Sequence, residues 1–278
     1  MKKHLSTILC ILIFVVGLSI MLYPTVSNYI NSKNASRVIA DYNAALADAS
    51  HEDITAWLDA ARDYNRRLAN TPNAFYFPDL VEGYEDTLNI TGTGIMGYID
   101  VDKVNIHLPI YHGVSDVVLQ IGVGHLPGTS MPIGGTSTHS VLSGHTGLPS
   151  SRLFTDLYEI EIGDTFTVTV ANRTITYEID QIKIVEPEQT EDLQIVPGKD
   201  YCTLFTCYPY GVNSHRMLLR GVRIDNIEVD EENHVTAYVA NEAFRIDSII
   251  VALIVGTPML IILLTLIAVS DRIKKKKN

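Results

Sequence analysis

A cysteine and an arginine flank a short turn in the second half of the chain. The run T-L-F-T-C at residues 203–207 is followed by Y-P-Y-G and, after three intervening residues, by His215 and Arg216. A strand that ends at a thiol, turns at Pro and Gly and returns with an arginine would hold Cys207 beside Arg216. The thiolate is the nucleophilic form of cysteine, and a nearby cation favours it. A guanidinium could also hydrogen-bond the oxyanion that forms when a carbonyl is attacked.

A nucleophilic thiol also needs a proton donor for its leaving group, and histidine suits this role near neutral pH. The chain has nine histidines. His145 lies just after a predicted strand, between two glycines whose backbone freedom lets a side chain project into a cleft. The residues alone leave His125, His139 and His215 open as alternatives, because each could serve equally well.

Other kinds of site are disfavoured. The glycines between residues 122 and 135 are not part of a strand–loop–helix unit, so they do not indicate a nucleotide site. His139 and His145 lack the paired cysteines or the H-E-x-x-H spacing of a metal site. A papain-like protease would have its histidine after its cysteine and the thiol at a helix N-terminus. We therefore predict no cofactor and no metal.

Short β-branched or aromatic runs separated by Gly, Pro, Asn and Asp dominate the middle of the chain and predict seven or eight strands. They lie at residues 95–100, 104–111, 138–143, 165–170, 173–185, 201–207 and 216–224. Brief helical pieces are predicted at residues 115–119 and 152–157, and Ala171-Asn172 could form a hairpin turn. This pattern is typical of a single all-β barrel or sandwich.

Two helices are predicted before the strands, within residues 35–68, from apolar residues at helical spacing. Ser50, followed three residues later by Asp53, indicates the start of the second helix. Trp57 and Tyr64 lie on one stripe of that helix, which we interpret as a docking face. A loop with two prolines and several aromatics connects this helix to the first strand.

Both ends of the chain are hydrophobic. Residues 5–23 carry no charge and follow two lysines, which indicates an uncleaved membrane anchor or a signal segment, and we favour the anchor. Residues 248–270 are uncharged and precede a basic tail, so we predict a transmembrane helix there. The positive-inside rule then places both termini in the cytoplasm and the strands outside the cell membrane.

Charge and cysteine content narrow the function further. The 278 residues are 46% hydrophobic and 19% charged, a composition that excludes a disordered chain, and the formal net charge is −11. Without the seven basic residues and the single acid at the chain ends, 14 basic residues face 31 acidic ones, so nucleic acid is not a predicted partner. Cys202 and Cys207 lie five residues apart on one predicted strand, on opposite faces and roughly 16 Å apart, which is too far for a disulfide.

Residues 94–221 resemble a sortase, and in detail a pilin-polymerising class C sortase. The resemblance rests on five motifs: T-L-x-T-C at 203–207, P-Y-G at 209–211, H-R at 215–216, S-G-H-x-G-L-P at 143–149 and G-V-G-H-x-x-G-T-S at 122–130. It implies a closed eight-stranded β-barrel with a helical N-terminal extension and one or two transmembrane helices. It also matches Cys207 to the family nucleophile, His145 to the catalytic histidine and Arg216 to the catalytic arginine.

The same resemblance implies the reaction. Cys207 would attack the Thr-Gly bond of an LPxTG-type sorting signal and form a thioester, which a lysine of a pilin subunit would resolve. The expected partners are therefore pilin subunits and the lipid bilayer. Two alternatives remain open: a sortase that attaches proteins to cell-wall amines, and an inactive barrel that acts as a pilus-assembly scaffold.

Two departures from the family pattern are visible. Thr146 follows the histidine where the family often has Arg, and the Asp-Pro-aromatic lid motif is absent. The corresponding loop offers Asn73 and Phe75, with Phe77 and Asp79 just after them. If Asn73 takes the acid's place, its bond to the arginine is neutral and weaker, so we predict a looser lid.

These observations divide the chain into six predicted segments. They are an anchor or signal segment (1–31), a helical extension with the lid loop (32–93), the catalytic barrel (94–225), a linker (226–247), a transmembrane helix (248–270) and a cytoplasmic basic tail (271–278).

Overall fold

The computed structural model describes residues 2–225, with side chains from residue 10 onward. Of the described residues, 30–225 form one compact unit, and those before Ile30 belong to a second unit. The predicted linker, second membrane helix and basic tail lie outside the described residues.

Eight strands form a closed barrel in the order β1-β2-β3-β4-β7-β8-β6-β5. The predicted all-β barrel is therefore confirmed. The sheet is mixed, because β2 pairs with β3 and β4 with β7 in parallel, whereas the other neighbours are antiparallel. The strands are β1 (Ile95–Val101), β2 (Ile106–His112), β3 (Val123–His125), β4 (Thr138–Ser143), β5 (Thr165–Val170), β6 (Arg173–Val185), β7 (Asp200–Tyr208) and β8 (His215–Ile224).

Most strands follow the predicted runs, but β3 is a three-residue strand that the pattern did not predict. Its sequence, Val-Gly-His, is too short to show an alternation, yet it closes the barrel between β2 and β4. The β5–β6 hairpin turns at Ala171 and Asn172, whose φ angles of 47° and 60° match a type I′ turn. The predicted helical pieces are α3 (Asp116–Ile121) and a 3₁₀ turn (Thr155–Glu159).

Two helices precede the barrel. Helix α1 (Lys2–Asp48) is continuous, and the part from Cys10 is long and apolar enough to cross a membrane. Helix α2 (His51–Asn70) begins at Ser50, whose hydroxyl accepts from Asp53 N while the Asp53 carboxylate accepts from Ser50 N. This reciprocal capping box confirms the predicted helix start.

Helix α2 is joined to the barrel by polar contacts as well as by packing. Tyr64 and Leu68 are buried on its inner face. The Asn65 amide donates to Met131 O at 3.2 Å and accepts from Met131 N at 2.6 Å. Both backbone hydrogen-bonding groups of Met131 are therefore satisfied by this one side chain. The face predicted from Trp57 and Tyr64 therefore packs against the barrel, with Tyr64 buried and Trp57 half-buried.

A buried histidine joins the α2–β1 connection to β3. His125 is fully buried, its Nε2 lies 2.8 Å from Ser130 O, and its Nδ1 lies 3.0 Å from the Tyr84 hydroxyl. Ser130 O can only accept, so Nε2 carries a proton, and the Tyr84 hydroxyl beside Nδ1 donates to His125 O at 2.9 Å. Burial lowers the pKa of His125 to about 4.

This histidine is expected to make the fold less stable at acid pH. Unfolded histidine has a pKa of about 6.5, so between pH 6.5 and 4 the unfolded chain binds the extra proton and stability falls as pH falls, by about 3 kcal/mol in total. Denaturant unfolding at pH 7 and pH 4.5 measures this difference. In His125→Gln it should be smaller, although buried His139, whose pKa burial also lowers, still contributes. Equal pH differences in both proteins would contradict this assignment.

Candidate active site

Cys207, Arg216 and the loop that carries His145 lie at one edge of the barrel. Strand β7 carries Cys207 one residue before its end, and the antiparallel register pairs Cys207 with Arg216 of β8. On the other side, parallel β4 pairs Ser143 with Phe205. Because parallel strands end at the same edge, the loop that follows β4 starts beside Cys207 and carries His145.

Alternation along β7 separates its two thiols. Cys202 and Leu204 point into the barrel core and are fully buried, whereas Phe205 belongs to a smaller cluster on the outer face. Cys207 lies two residues beyond Phe205, so it shares the outer face and is partly exposed. Both cysteines are free, as predicted. Burial holds the pKa of the Cys202 thiol far above its usual value, so Cys207 is the thiol of β7 that is open to chemistry.

The guanidinium of Arg216 is held by the turn that precedes it. Its Nη1 donates to Asn213 O and to His215 O, each at 3.0 Å. Within the described part of the chain no carboxylate pairs with it, so its positive charge is not neutralised by a neighbouring side chain. Arg216 is half-buried. A fixed and unpaired guanidinium beside a thiol is suited to bind a developing oxyanion.

The backbone around His145 is fixed while its ring is free. Gly144 N donates to Phe205 O of β7 and Phe154 N donates to His145 O, both at 3.1 Å. The Phe154 ring fills the space where a side chain at Gly144 would stand, at 2.6 Å from the ideal Cβ position. His145 is half-buried, and among residues 10–225 its ring nitrogens have no hydrogen-bond partner.

The other histidines left open by the sequence are engaged elsewhere. His125 is fully buried and bonded to Ser130, and His139 is buried with its two ring nitrogens at Gln194 O (2.9 Å) and Thr203 Oγ1 (2.7 Å). His215 is exposed, and its Nδ1 lies 2.8 Å from the Ser214 hydroxyl. Of these histidines, His145 is therefore the one that lies at the same edge of the barrel as Cys207. Its ring is half-buried and makes no hydrogen bond within residues 10–225.

The loop after α2 lies over the outer face of the same strands. Phe75 packs against a cluster formed by Val141, Leu193 and Leu218, which also includes Phe205. The loop backbone approaches Gly128 so closely that a Cβ there would lie 2.7 Å from Phe75 O. We refer to residues 71–77 as the lid loop.

A side-chain hydrogen bond also ties the lid loop to the connection between β6 and β7. The Gln194 amide donates to the Tyr76 hydroxyl at 3.0 Å, while Gln194 O faces His139. Sequence reasoning missed Leu193 and Gln194, since they lie in a polar connection with no local pattern. A cleft of about 170 Å³ remains between the lid loop and this connection, too small for a peptide of several residues.

The remaining lid candidates are placed differently. Asn73 is exposed with a φ of 62°, and its carbonyl accepts from Tyr76 N and Phe77 N at 3.0 Å. It makes no hydrogen bond to Arg216 in the part of the chain that the structure describes. Phe77 is 62% exposed, and Asp79 is exposed as well.

A closed eight-stranded barrel with a partly exposed thiol at its edge is the arrangement expected of barrel enzymes that act through a cysteine. Residues 99–224 match the family described as the sortase domain. Crystallised sortase C1 from Streptococcus agalactiae is 48% identical, over 69% of this chain and 100% of that one, with a TM-score of 0.63. The chain belongs to the sortase family, and the class C neighbours confirm the resemblance seen in the motifs.

Two further relatives are similar to this chain. Clostridium perfringens sortase C, solved with the C-terminal cell wall sorting motif, is 40% identical over 69% of this chain and 100% of that one, with a TM-score of 0.61. Sortase D of Bacillus subtilis (strain 168) is 31% identical over 131 residues, which is 46% of this chain. The matched region spans 63% of that curated relative's length.

Proposed function

We propose that the protein is a membrane-anchored transpeptidase that cleaves an LPxTG-type sorting signal between Thr and Gly and transfers the acyl group to a lysine of a pilin subunit. The observation that carries the proposal is the register that pairs Cys207 with Arg216 beside the His145 loop. The C. perfringens relative, solved with a cell wall sorting motif, supports the substrate class.

In the first half-reaction, Cys207 reacts as the thiolate, with the proton held by His145, and its sulfur attacks the carbonyl carbon of the signal's threonine. A C–S bond forms, and the carbonyl oxygen becomes an oxyanion that the Arg216 guanidinium stabilises. When the C–N bond to glycine breaks, the leaving amine takes a proton from His145. The product is a thioester on Cys207.

In the second half-reaction, an amine attacks the thioester carbonyl. His145 accepts the proton that the amine loses, the new C–N bond forms, and the Cys207 thiolate leaves. A lysine side chain gives an isopeptide bond between subunits. We further propose that the barrel lies outside the cell membrane, with α1 as its anchor.

The proposal is tested with the full chain in detergent and a sorting-signal peptide. Intact-mass measurement should show a mass gain equal to the acyl fragment. If no mass gain is seen under any condition, the result supports the scaffold alternative. Lysine-containing pilin and peptidoglycan-type amine are then supplied separately. Release of the thioester by pilin alone supports polymerisation, whereas release by the cell-wall amine alone supports the anchoring alternative.

The lid loop should limit access to the thiol. Because the Phe75 ring packs on the cluster that includes Phe205, two residues before Cys207, Phe75→Ala should weaken lid closure by about 1.4 kcal/mol, which corresponds to about tenfold faster labelling of Cys207 by a charged thiol reagent. Phe77→Ala is the matched control, since that ring is already exposed. Equal labelling rates in wild type and Phe75→Ala would show that the ring does not gate the thiol.

A further inference from the structure

Two threonine hydroxyls connect the strand ends that carry Cys207 and His145. Thr206 precedes the cysteine, Thr146 follows the histidine, and their Oγ1 atoms lie 2.7 Å apart. Thr206 Oγ1 also donates to Gly144 O at 2.7 Å. A hydroxyl has a single proton. Since Thr206 uses its proton on Gly144 O, Thr146 is the donor in the shorter of its two contacts, to Thr206 at 2.7 Å, and Phe154 O at 3.3 Å is its more distant acceptor.

The hydrogen bond between Thr146 and Thr206 lies where the backbone hydrogen bonds between β4 and β7 end. The last backbone bond between the two segments runs from Gly144 N to Phe205 O at 3.1 Å. Beyond it, the bonds of Thr206 to Gly144 and Thr146 continue the connection through side chains. Thr206 is 3% exposed, so water does not readily replace Thr146 as its donor.

We infer that Thr146 and Thr206 are positioning residues that set the separation between the His145 imidazole and the Cys207 thiol. In residues 10–225 neither the His145 ring nor the Cys207 sulfur has a hydrogen bond of its own. Their relative position therefore depends on how the two backbones are joined. Thr206 alternates with Cys207 along β7 and points away from the outer face, so neither hydroxyl is assigned a contact with the reacting atoms.

This inference rests on the proposed function and deepens it. It also gives a role to the position where the family often has Arg. The Thr146 hydroxyl reaches Thr206 of the neighbouring strand β7. The hydroxyl is therefore the group of Thr146 that matters, and the methyl group is not.

The first experiment compares Thr146→Val, which keeps the shape and removes the hydroxyl, with Thr146→Ser, which keeps the hydroxyl. Acylation by a sorting-signal peptide is measured on the full chain in detergent, and each rate is divided by the amount of Cys207 that a thiol reagent titrates. Thr146→Val should acylate about 10- to 100-fold more slowly at saturating peptide, with KM within about twofold of wild type. Thr146→Ser should stay within about threefold of wild type.

A second hydroxyl pair supplies the matched control. Thr169 and Thr174 bond at 3.0 Å between β5 and β6, on the far side of the barrel. Thr169→Val should lower stability and leave the normalised acylation rate unchanged. If Thr146 acts through Thr206, the double variant Thr146→Val, Thr206→Val should be no slower than Thr206→Val alone.

The outcomes separate this inference from the proposed function. A normal rate in Thr146→Val, or equal losses in Thr146→Val and Thr146→Ser, would overturn the positioning role while the proposed function stands. Absence of acylation in the wild type would overturn both. Should Thr146→Val fail to fold, Thr146→Ala, which is smaller and also lacks the hydroxyl, replaces it in the same comparison.

Discussion

Replacement of Cys207 by alanine is expected to abolish the thioester with a sorting-signal peptide, lowering turnover by at least about 10³-fold. The thiol is the atom that forms the covalent bond, and its neighbours on the outer face offer no other nucleophile of the same kind. Intact-mass measurement after incubation with peptide checks the result directly. A full mass gain in Cys207→Ala would contradict the assignment of the nucleophile.

The chain offers a matched control for this variant. Cys202 lies on the same strand, five residues earlier, and its side chain is fully buried in the barrel core. Cys202→Ala should form the thioester at the wild-type rate while losing about 1 kcal/mol of stability, because it leaves a small cavity. The pair of variants therefore separates loss of chemistry from loss of fold, since only the partly exposed thiol should matter for the mass gain.

Replacement of Arg216 by lysine is expected to lower the acylation rate by about 100-fold or more, although the positive charge remains. The guanidinium of Arg216 uses Nη1 to hold the carbonyls of Asn213 and His215, which orients its remaining N–H groups. An ammonium has no such planar fork and would be less well oriented. Because the oxyanion exists only after attack, the loss should appear in the rate at saturating peptide more than in KM.

Arg220 provides the control for this second variant. It lies four residues further along β8 and pairs with both carboxylate oxygens of Asp180, at 2.9 and 2.8 Å. Its guanidinium also lies over the Tyr201 ring, 4.4 Å from the centroid. Arg220→Lys should therefore reduce stability and leave acylation near the wild-type rate. If Arg216→Lys acylates normally, or Arg220→Lys fails to the same degree, the guanidinium of Arg216 has no special role.

The hairpin that joins Cys207 and Arg216 could be predicted because its parts are close in sequence. Seven strands were likewise visible as β-branched runs, and the start of α2 was visible in Ser50 and Asp53. Strand β3 was not predicted from its own residues, since three residues including a glycine carry no alternation that distinguishes a strand from a loop.

The lid shows where sequence reasoning reached its limit. The loop could be located by its proline and aromatic content, and Phe75 was among its candidates. Its contacts with Leu193 and Gln194 could not be inferred, because those residues lie more than a hundred positions away in a connection without pattern. The exposed position of Asn73 was equally invisible, since it depends on a left-handed backbone within the loop.

By itself, the sequence determined the chemical groups of this protein. These are the Cys207 thiol as a candidate nucleophile, the Arg216 cation across one hairpin turn from it, and apolar segments at both ends of the chain. Residue types and short spacings carry that information because strands and turns are formed by local preferences. Residue types left four histidines open and the motif resemblance matched His145, whereas only the tertiary structure shows how His145 reaches the edge that carries Cys207. His145 lies 62 positions before Cys207, and a parallel pair of strands brings the two loops to one edge. Such a pairing depends on closure of the whole barrel, which no local pattern encodes.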